Sequence, residues 1–176
     1  MRIRSWTHEA APRDPALVGA ILERRGGKLL NLDTALLWSE PLARGWNELL
    51  RAVRQQFALS PRLKELGVCT VAKLTGAHYE FIHHAPEYVK AGGSAEALVK
   101  LDAPDAAAVD PVFSADEQLV IRYAIAMTRE VAVPESLFAE IRARFNETEI
   151  VELTATIGTY NLVARFLVAL HVEPER

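Results

Sequence analysis

A single cysteine, Cys69, stands in 176 residues. That count excludes an intramolecular disulfide and any metal centre built on several thiolates. His-x3-His and His-Glu-x-x-His spacings are absent, which removes the usual helical zinc patterns, and the expectation is that no metal is bound. The chain has no Gly-x-Ser-x-Gly elbow, no phosphate loop and no dinucleotide fingerprint. It also lacks an excess of one charge: 20 basic and 23 acidic residues leave a formal charge of −3. A nucleic-acid or anionic-membrane surface needs a concentrated basic face, so neither partner is expected. No run of eighteen apolar residues occurs, and no basic start leads into an apolar segment. The expectation is a soluble, cytoplasmic protein without a membrane partner.

Sustained alternation of apolar and polar residues is missing too, so no confident strand can be drawn. The two β-rich runs, Gly67 to Val71 and Val131 to Val133, are short and sit inside or beside helical patterns. What remains is helical punctuation, and the predicted fold class is all-α. Half of the residues are hydrophobic, enough for a sizeable core in one domain of ordinary size. Asp14-Pro15 opens a helix that Gly26-Gly27 stops. A second helical region runs from Leu42 to Phe57, with Leu42, Trp46, Leu49, Leu50 and Val53 on one face. Ser60-Pro61 starts a helix that Gly76 closes, the next ends near Gly92-Gly93, and Ser94 caps a short one. Residues 102–113 read as a surface loop. Ser114 to Glu117 is a capping box, Pro134 opens a further helix, and Asn146 to Glu149 starts the last. That last helix carries Ile150, Leu153, Ile157, Leu162, Phe166 and Leu170.

Chemistry concentrates in Ala77-His78-Tyr79-Glu80-Phe81-Ile82-His83-His84, which holds three of the five histidines. Glu80 and His84 are four apart and share a helical face. A carboxylate beside an imidazole is the smallest unit of acid–base chemistry. Tyr79 and His83 form a second polar stripe on the same helix. His83 and His84 are adjacent and point in different directions, so they do not bind one ion together with Glu80. Glu65 heads a row of small residues, Cys69, Ala72 and Gly76, suited to close helix packing. Two arrangements stay open for it: a place beside Glu80 and His84, or a surface pair with Arg62 or Lys73. His78, at a helix start, reads as exposed and incidental. Cys69, among Val68, Val71 and Ala72, reads as a buried, inert thiol.

Residues 60–100, from Ser-Pro-Arg-Leu-Lys-Glu through Thr-Gly-Ala-His-Tyr-Glu-Phe-Ile-His-His-Ala-Pro, resemble the carboxymuconolactone decarboxylase / alkylhydroperoxidase D-like family. The stretch from Thr156 through Tyr160, Asn161 and Arg165 resembles that family's last helix. The resemblance runs from about Leu36 to the C-terminus. It implies a domain over 36–176 with an N-terminal helical extension over 1–35, and an alkylhydroperoxidase D-like helical bundle. Homo-oligomers (dimer, trimer or hexamer) packed through the motif helices are implied as well. In the peroxidase branch a glutamate precedes a Cys-x-x-Cys-x-x-x-His motif. Aligning on Gly76 puts that glutamate at Glu65, the cysteine positions at Ala77 and Glu80, and the histidine at His84. The relay acid and histidine are present and both redox sulfurs are gone.

The resemblance therefore implies Glu65, Glu80 and His84 as catalytic residues and no cofactor; Tyr79 and His83, on the neighbouring polar stripe, are expected at the rim of the pocket as substrate-binding residues. The leading expectation is a cofactor-independent acid–base enzyme on a small-molecule substrate, either a decarboxylase or a lactone-transforming protein. An alkylhydroperoxidase D-like peroxidase and a non-catalytic oligomeric binding protein on the same scaffold are the alternatives.

Overall fold

A computed structural model describes residues 1–175. Ten α-helices follow in order among the described residues: α1 (Pro15–Arg24), α2 (Asn31–Leu36), α3 (Glu40–Arg51), α4 (Pro61–Thr75), α5 (His78–Lys90), α6 (Ala95–Lys100), α7 (Pro104–Ala107), α8 (Ala115–Arg129), α9 (Glu135–Arg144) and α10 (Glu147–Leu170). A π-helical turn, Ala52–Gln56, continues α3. No strand occurs among these residues. The two β-rich runs lie within α4 and in the turn after α8.

The chain divides into two compact units. One holds residues 1–57 with the C-terminal residues from Leu167, and the other holds Ala58–Phe166. In the first, Leu17, Ile21, Leu32, Leu36, Leu37, Trp46, Leu50 and Val53 are buried. Asp33 is buried with them and is held by Arg24 at 3.5 Å, by Arg25 at 3.0 Å and by the Leu30 backbone N–H at 3.0 Å. A carboxylate can be kept there because its charge is answered on both sides. The expected face of α3 shifts slightly: Ala43, Trp46, Leu50 and Val53 are buried, while Leu42 and Leu49 are each 40 % exposed. On the helical wheel those two leucines lie at the edge of the buried arc, so periodicity alone extended the face too far.

The second unit is built around α4, whose residues Leu66 to Ala72 are all buried. Its most extensive contacts are with α5 and α8. A Cβ at Gly67 would touch both Val120 of α8 and Ile157 of α10 at 3.7 Å, so these two helices flank α4 at that level. Gly76 ends α4 in the left-handed region at φ 68°, which glycine enters without a Cβ penalty. There the Ala77 N–H bonds back to the Ala72 carbonyl at 2.9 Å, a Schellman closure that lets α5 return along α4. Ser114 starts α8 with a capping box: its hydroxyl accepts from the Glu117 N–H at 3.3 Å, and Glu117 accepts from the Ser114 N–H at 2.9 Å.

One sequence expectation needs correction in this unit. Residues 102–113 are not a surface loop. They contain α7, and Ala107, Ala108 and Phe113 are buried in a cluster with Leu66, Cys69, Tyr88 and Ile121. A four-residue helix is too short to give a periodic signal. In α10, Leu162 is 49 % exposed, and the buried series is Leu153, Ile157, Tyr160, Ala164 and Leu167. Steps of four, three, four and three place Tyr160 on the core line of this helix. By length and apolarity α10 could cross a membrane, and 44 % of its most apolar window is buried within the protein.

The turn after α8 holds a strained residue. Val131 has φ +65° and is 81 % exposed. A β-branched side chain in the left-handed region costs roughly 1–2 kcal/mol, and glycine returns about 0.5–1 of that through its unfolded-state entropy. Val131→Gly is therefore expected to raise stability by about 0.5–1 kcal/mol, read as a higher thermal midpoint. An unchanged or lower midpoint would show that the valine is compensated by contacts at the turn.

Candidate active site

Three helices converge on the His84 ring. Its Nδ1 lies 2.5 Å from Glu65 Oε2, a contact that ties α5 to α4. Its Nε2 lies 3.2 Å from Glu80 Oε2, one turn earlier on α5. The same Nε2 is 3.1 Å from the Tyr160 hydroxyl on α10. The Tyr160 ring also meets the imidazole edge-on, with centroids 4.9 Å apart at 83°. Glu80 is 1 % exposed, Tyr160 2 % and His84 5 %. Glu65 keeps somewhat more contact with solvent, at 12 % of its side chain.

The local reasons are plain. Spacing of four residues stacks Glu80 under His84. The Gly76 corner returns α5 along α4 far enough to bring residue 84 level with residue 65. Glu65 takes neither surface alternative, because Arg62 pairs with Glu117 at 3.3 Å and Lys73 with Asp102. Lys73 also lies over the Phe81 ring at 3.8 Å.

Hydrogen-bond chemistry sets the proton positions. A carboxylate only accepts, so the Glu65 contact places a hydrogen on Nδ1 of the neutral ring. Nε2 is then the nitrogen free to gain and lose a proton. A carboxylate oxygen within 3.2 Å of that nitrogen is a stable neighbour when a proton lies between the two. Buried in a medium of low dielectric, such a pair interacts more strongly than it would in water. The arrangement can hold, move and deliver one proton.

Tyr79 and His83 form their own pair. Their rings stack at 4.4 Å and 23°, and His83 Nδ1–H donates to the Tyr79 carbonyl at 2.8 Å. His78 is exposed, as its place at the helix start implied. Sequence reasoning did not single out Tyr160 as a site residue. The signal available was the core line of α10, which passes through a residue bearing a hydroxyl. Among the described residues no cluster of three or more His, Cys, Asp or Glu is arranged to hold a metal ion.

Cys69 is fully buried on α4. Burial pushes its thiol well above the usual range, and the charge of Glu65 pushes it the same way. The reactive form of a cysteine is the thiolate, so this side chain is held in its inert form.

No protein-family model matches the chain, and no curated protein matches it. Solved structures do. An uncharacterized peroxidase-related protein from Ralstonia eutropha JMP134, described as an alkylhydroperoxidase AhpD core, superimposes with a TM-score of 0.82 at 14 % identity, covering 99 % of this chain and 92 % of the other. A peroxidase-related protein from Silicibacter sp. TM1040 gives 0.76 at 18 % identity, covering 93 % and 88 %. The debrominase Bmp8 in complex with 2,3,4-tribromopyrrole gives 0.79 at 16 % identity, covering 99 % and 92 %. The chain has the AhpD-like all-α fold, as its sequence resemblance implied.

Proposed function

We propose that the chain is a cofactor-independent acid–base enzyme, a decarboxylase or lactone-transforming protein, whose proton-transfer centre is His84 between Glu65 and Glu80. The observation that carries this reading is the buried imidazole with a carboxylate at each ring nitrogen, 2.5 Å and 3.2 Å away. Glu65 orients the ring and balances the charge it gains, while Glu80 shares the proton at Nε2. In a decarboxylation the carboxylate leaves as carbon dioxide and its electron pair stays on carbon as a carbanion or enolate. The proton shared by the His84 ring and Glu80 then neutralises that carbon, and water restores the proton to the site. In a lactone transformation the same centre removes a proton next to the carbonyl and returns it elsewhere on the conjugated system. Bmp8 is complexed with a small planar heterocycle, so a compact, conjugated substrate is in keeping with what the fold accommodates elsewhere.

A dithiol peroxidase cycle needs two sulfurs that exchange with each other. With Cys69 the only cysteine and its thiol buried, the acid–base reading is the better supported. A panel of small activated carboxylates and conjugated lactones, followed by carbon dioxide release and loss of lactone absorbance, tests it. Thiol-independent turnover is expected. Consumption of peroxide that requires a thiol reductant, with no turnover on the panel, would count against it. Cys69→Ala is expected to keep the turnover of the parent protein, and its loss in a folded variant would return the thiol to the mechanism.

A further inference from the structure

Glu65 and Glu80 have places in the acid–base reading, but Tyr160 does not, although its hydroxyl is as near to Nε2 as Glu80 is, at 3.1 Å against 3.2 Å. We infer that Tyr160 is a positioning residue of this site, whose hydroxyl holds His84 as a neutral base by donating to Nε2, in competition with Glu80, which takes over the same nitrogen when the ring carries the proton. The inference rests on the acid–base reading and adds to it a device that balances the unprotonated ring, which a lactone transformation starts from, against the protonated ring, which a decarboxylation needs.

Donor chemistry separates the two partners of Nε2. Glu65 fixes the hydrogen on Nδ1, so the neutral ring presents a lone pair at Nε2. An ionised Glu80 has nothing to donate to that lone pair, whereas a phenol has one hydrogen, and Tyr160 is close enough to give it. Once the ring gains a proton, Nε2–H seeks an acceptor, and a charge-assisted bond to Glu80 is roughly twice as strong as a neutral one to a phenol oxygen. The hydroxyl favours the unprotonated nitrogen and the carboxylate favours the protonated one. Among the described contacts, the ionisable groups placed against the ring are Glu65 from α4, Glu80 on α5 and Tyr160 from α10. Cys69, one turn beyond Glu65, stays a neutral thiol. Tyr160 is held for this task by the core line of α10, and its ring, edge-on to the imidazole, keeps the hydroxyl on the nitrogen.

The test is a pH titration of the His84 ring by NMR in the full-length protein with isotope-labelled histidine, the signal assigned by its loss in His84→Gln. Tyr160→Phe keeps the ring contact and removes the hydroxyl. Loss of one bond to the neutral form is expected to tighten proton binding at His84 by about tenfold. Glu80→Gln is expected to move it the other way. A merely structural tyrosine would lower the melting temperature of Tyr160→Phe and leave the titration midpoint where it was, which would overturn the inference. Should Tyr160→Phe not fold, 3-fluorotyrosine placed at position 160 preserves the shape and strengthens the donor. It is expected to weaken proton binding at His84, and an unmoved midpoint there would equally overturn the inference. The titration needs no substrate, so its failure is distinct from a failure of the acid–base reading, which shows instead as full turnover in His84→Gln.

Discussion

His84→Gln lowers turnover by about 10²–10⁴-fold, the range expected when a general acid or base is removed. Glutamine is the informative replacement because its amide can still donate toward Glu65 and fill much of the ring's space, but cannot carry a proton between two carboxylates. Alanine at the same site would leave the Glu65 and Glu80 carboxylates around an empty volume. Their mutual repulsion would then add a folding defect to the chemical one. The histidine on the exposed start of α5 supplies the control: His78→Ala removes an imidazole of the same type from an earlier turn of the helix and leaves turnover near that of the parent. Steady-state rates on whichever substrate the panel identifies check both variants. A His84→Gln protein that stays folded and turns over normally would reduce the Glu65–His84–Glu80 contacts to a structural clasp between α4 and α5.

Gly93→Ala destabilises the second unit by about 1–3 kcal/mol or more, the range for forcing a methyl group into a filled core. The requirement on Gly93 is steric. A Cβ there would lie 2.3 Å from Cε1 and Cζ of the Tyr88 ring, far inside any contact distance. Tyr88 cannot retreat, because it is 1 % exposed and its hydroxyl donates to Glu117 at 2.8 Å. Glu117 is itself engaged, by Arg62 at 3.3 Å and by the Ser114 N–H at 2.9 Å. Burial raises the Tyr88 phenol far above its ordinary range and its bond to Glu117 adds to that, so the hydroxyl stays protonated and keeps donating. The substitution therefore strains α5, the turn after it and the start of α8 together. Chemical denaturation of Gly93→Ala against the parent measures the loss. A difference below about 0.5 kcal/mol would mean that the Tyr88 ring yields more readily than its bonds suggest.

Much of the site was legible because it is local. Glu80 and His84 announce themselves by a spacing of four, and Gly76 marks the corner that folds their helix back. Glu65 was harder, since helix geometry left it either inside the corner or paired on the surface. The resemblance to a known motif favoured the inside, and the structure has it there. Tyr160 was out of reach by this route. It lies 76 residues from His84 along the chain, and no spacing rule links them. Only the approach of α10 to α5 makes them neighbours. The same distinction explains the fold. Capped and glycine-stopped helices were read nearly to the residue, because their signals are carried by the backbone within one turn. α7 was read as a loop because four residues hold no period. Leu42 and Leu49 share a predicted face with Trp46 and Leu50 because a helical face drawn from hydrophobicity has no means of knowing where its neighbour's edge lies.

One proton passing through His84 is the centre of the proposed chemistry. Turnover in D2O reads it most directly: the product from the parent protein should carry one deuterium at the carbon that lost its carboxylate or, in a lactone transformation, at the position of the conjugated system that receives the proton. Cys69→Ala should give the same labelled product, and His84→Gln should form it at no more than about one-hundredth of the parent rate. Product that forms at the parent rate and with the same label in His84→Gln would contradict this mechanism.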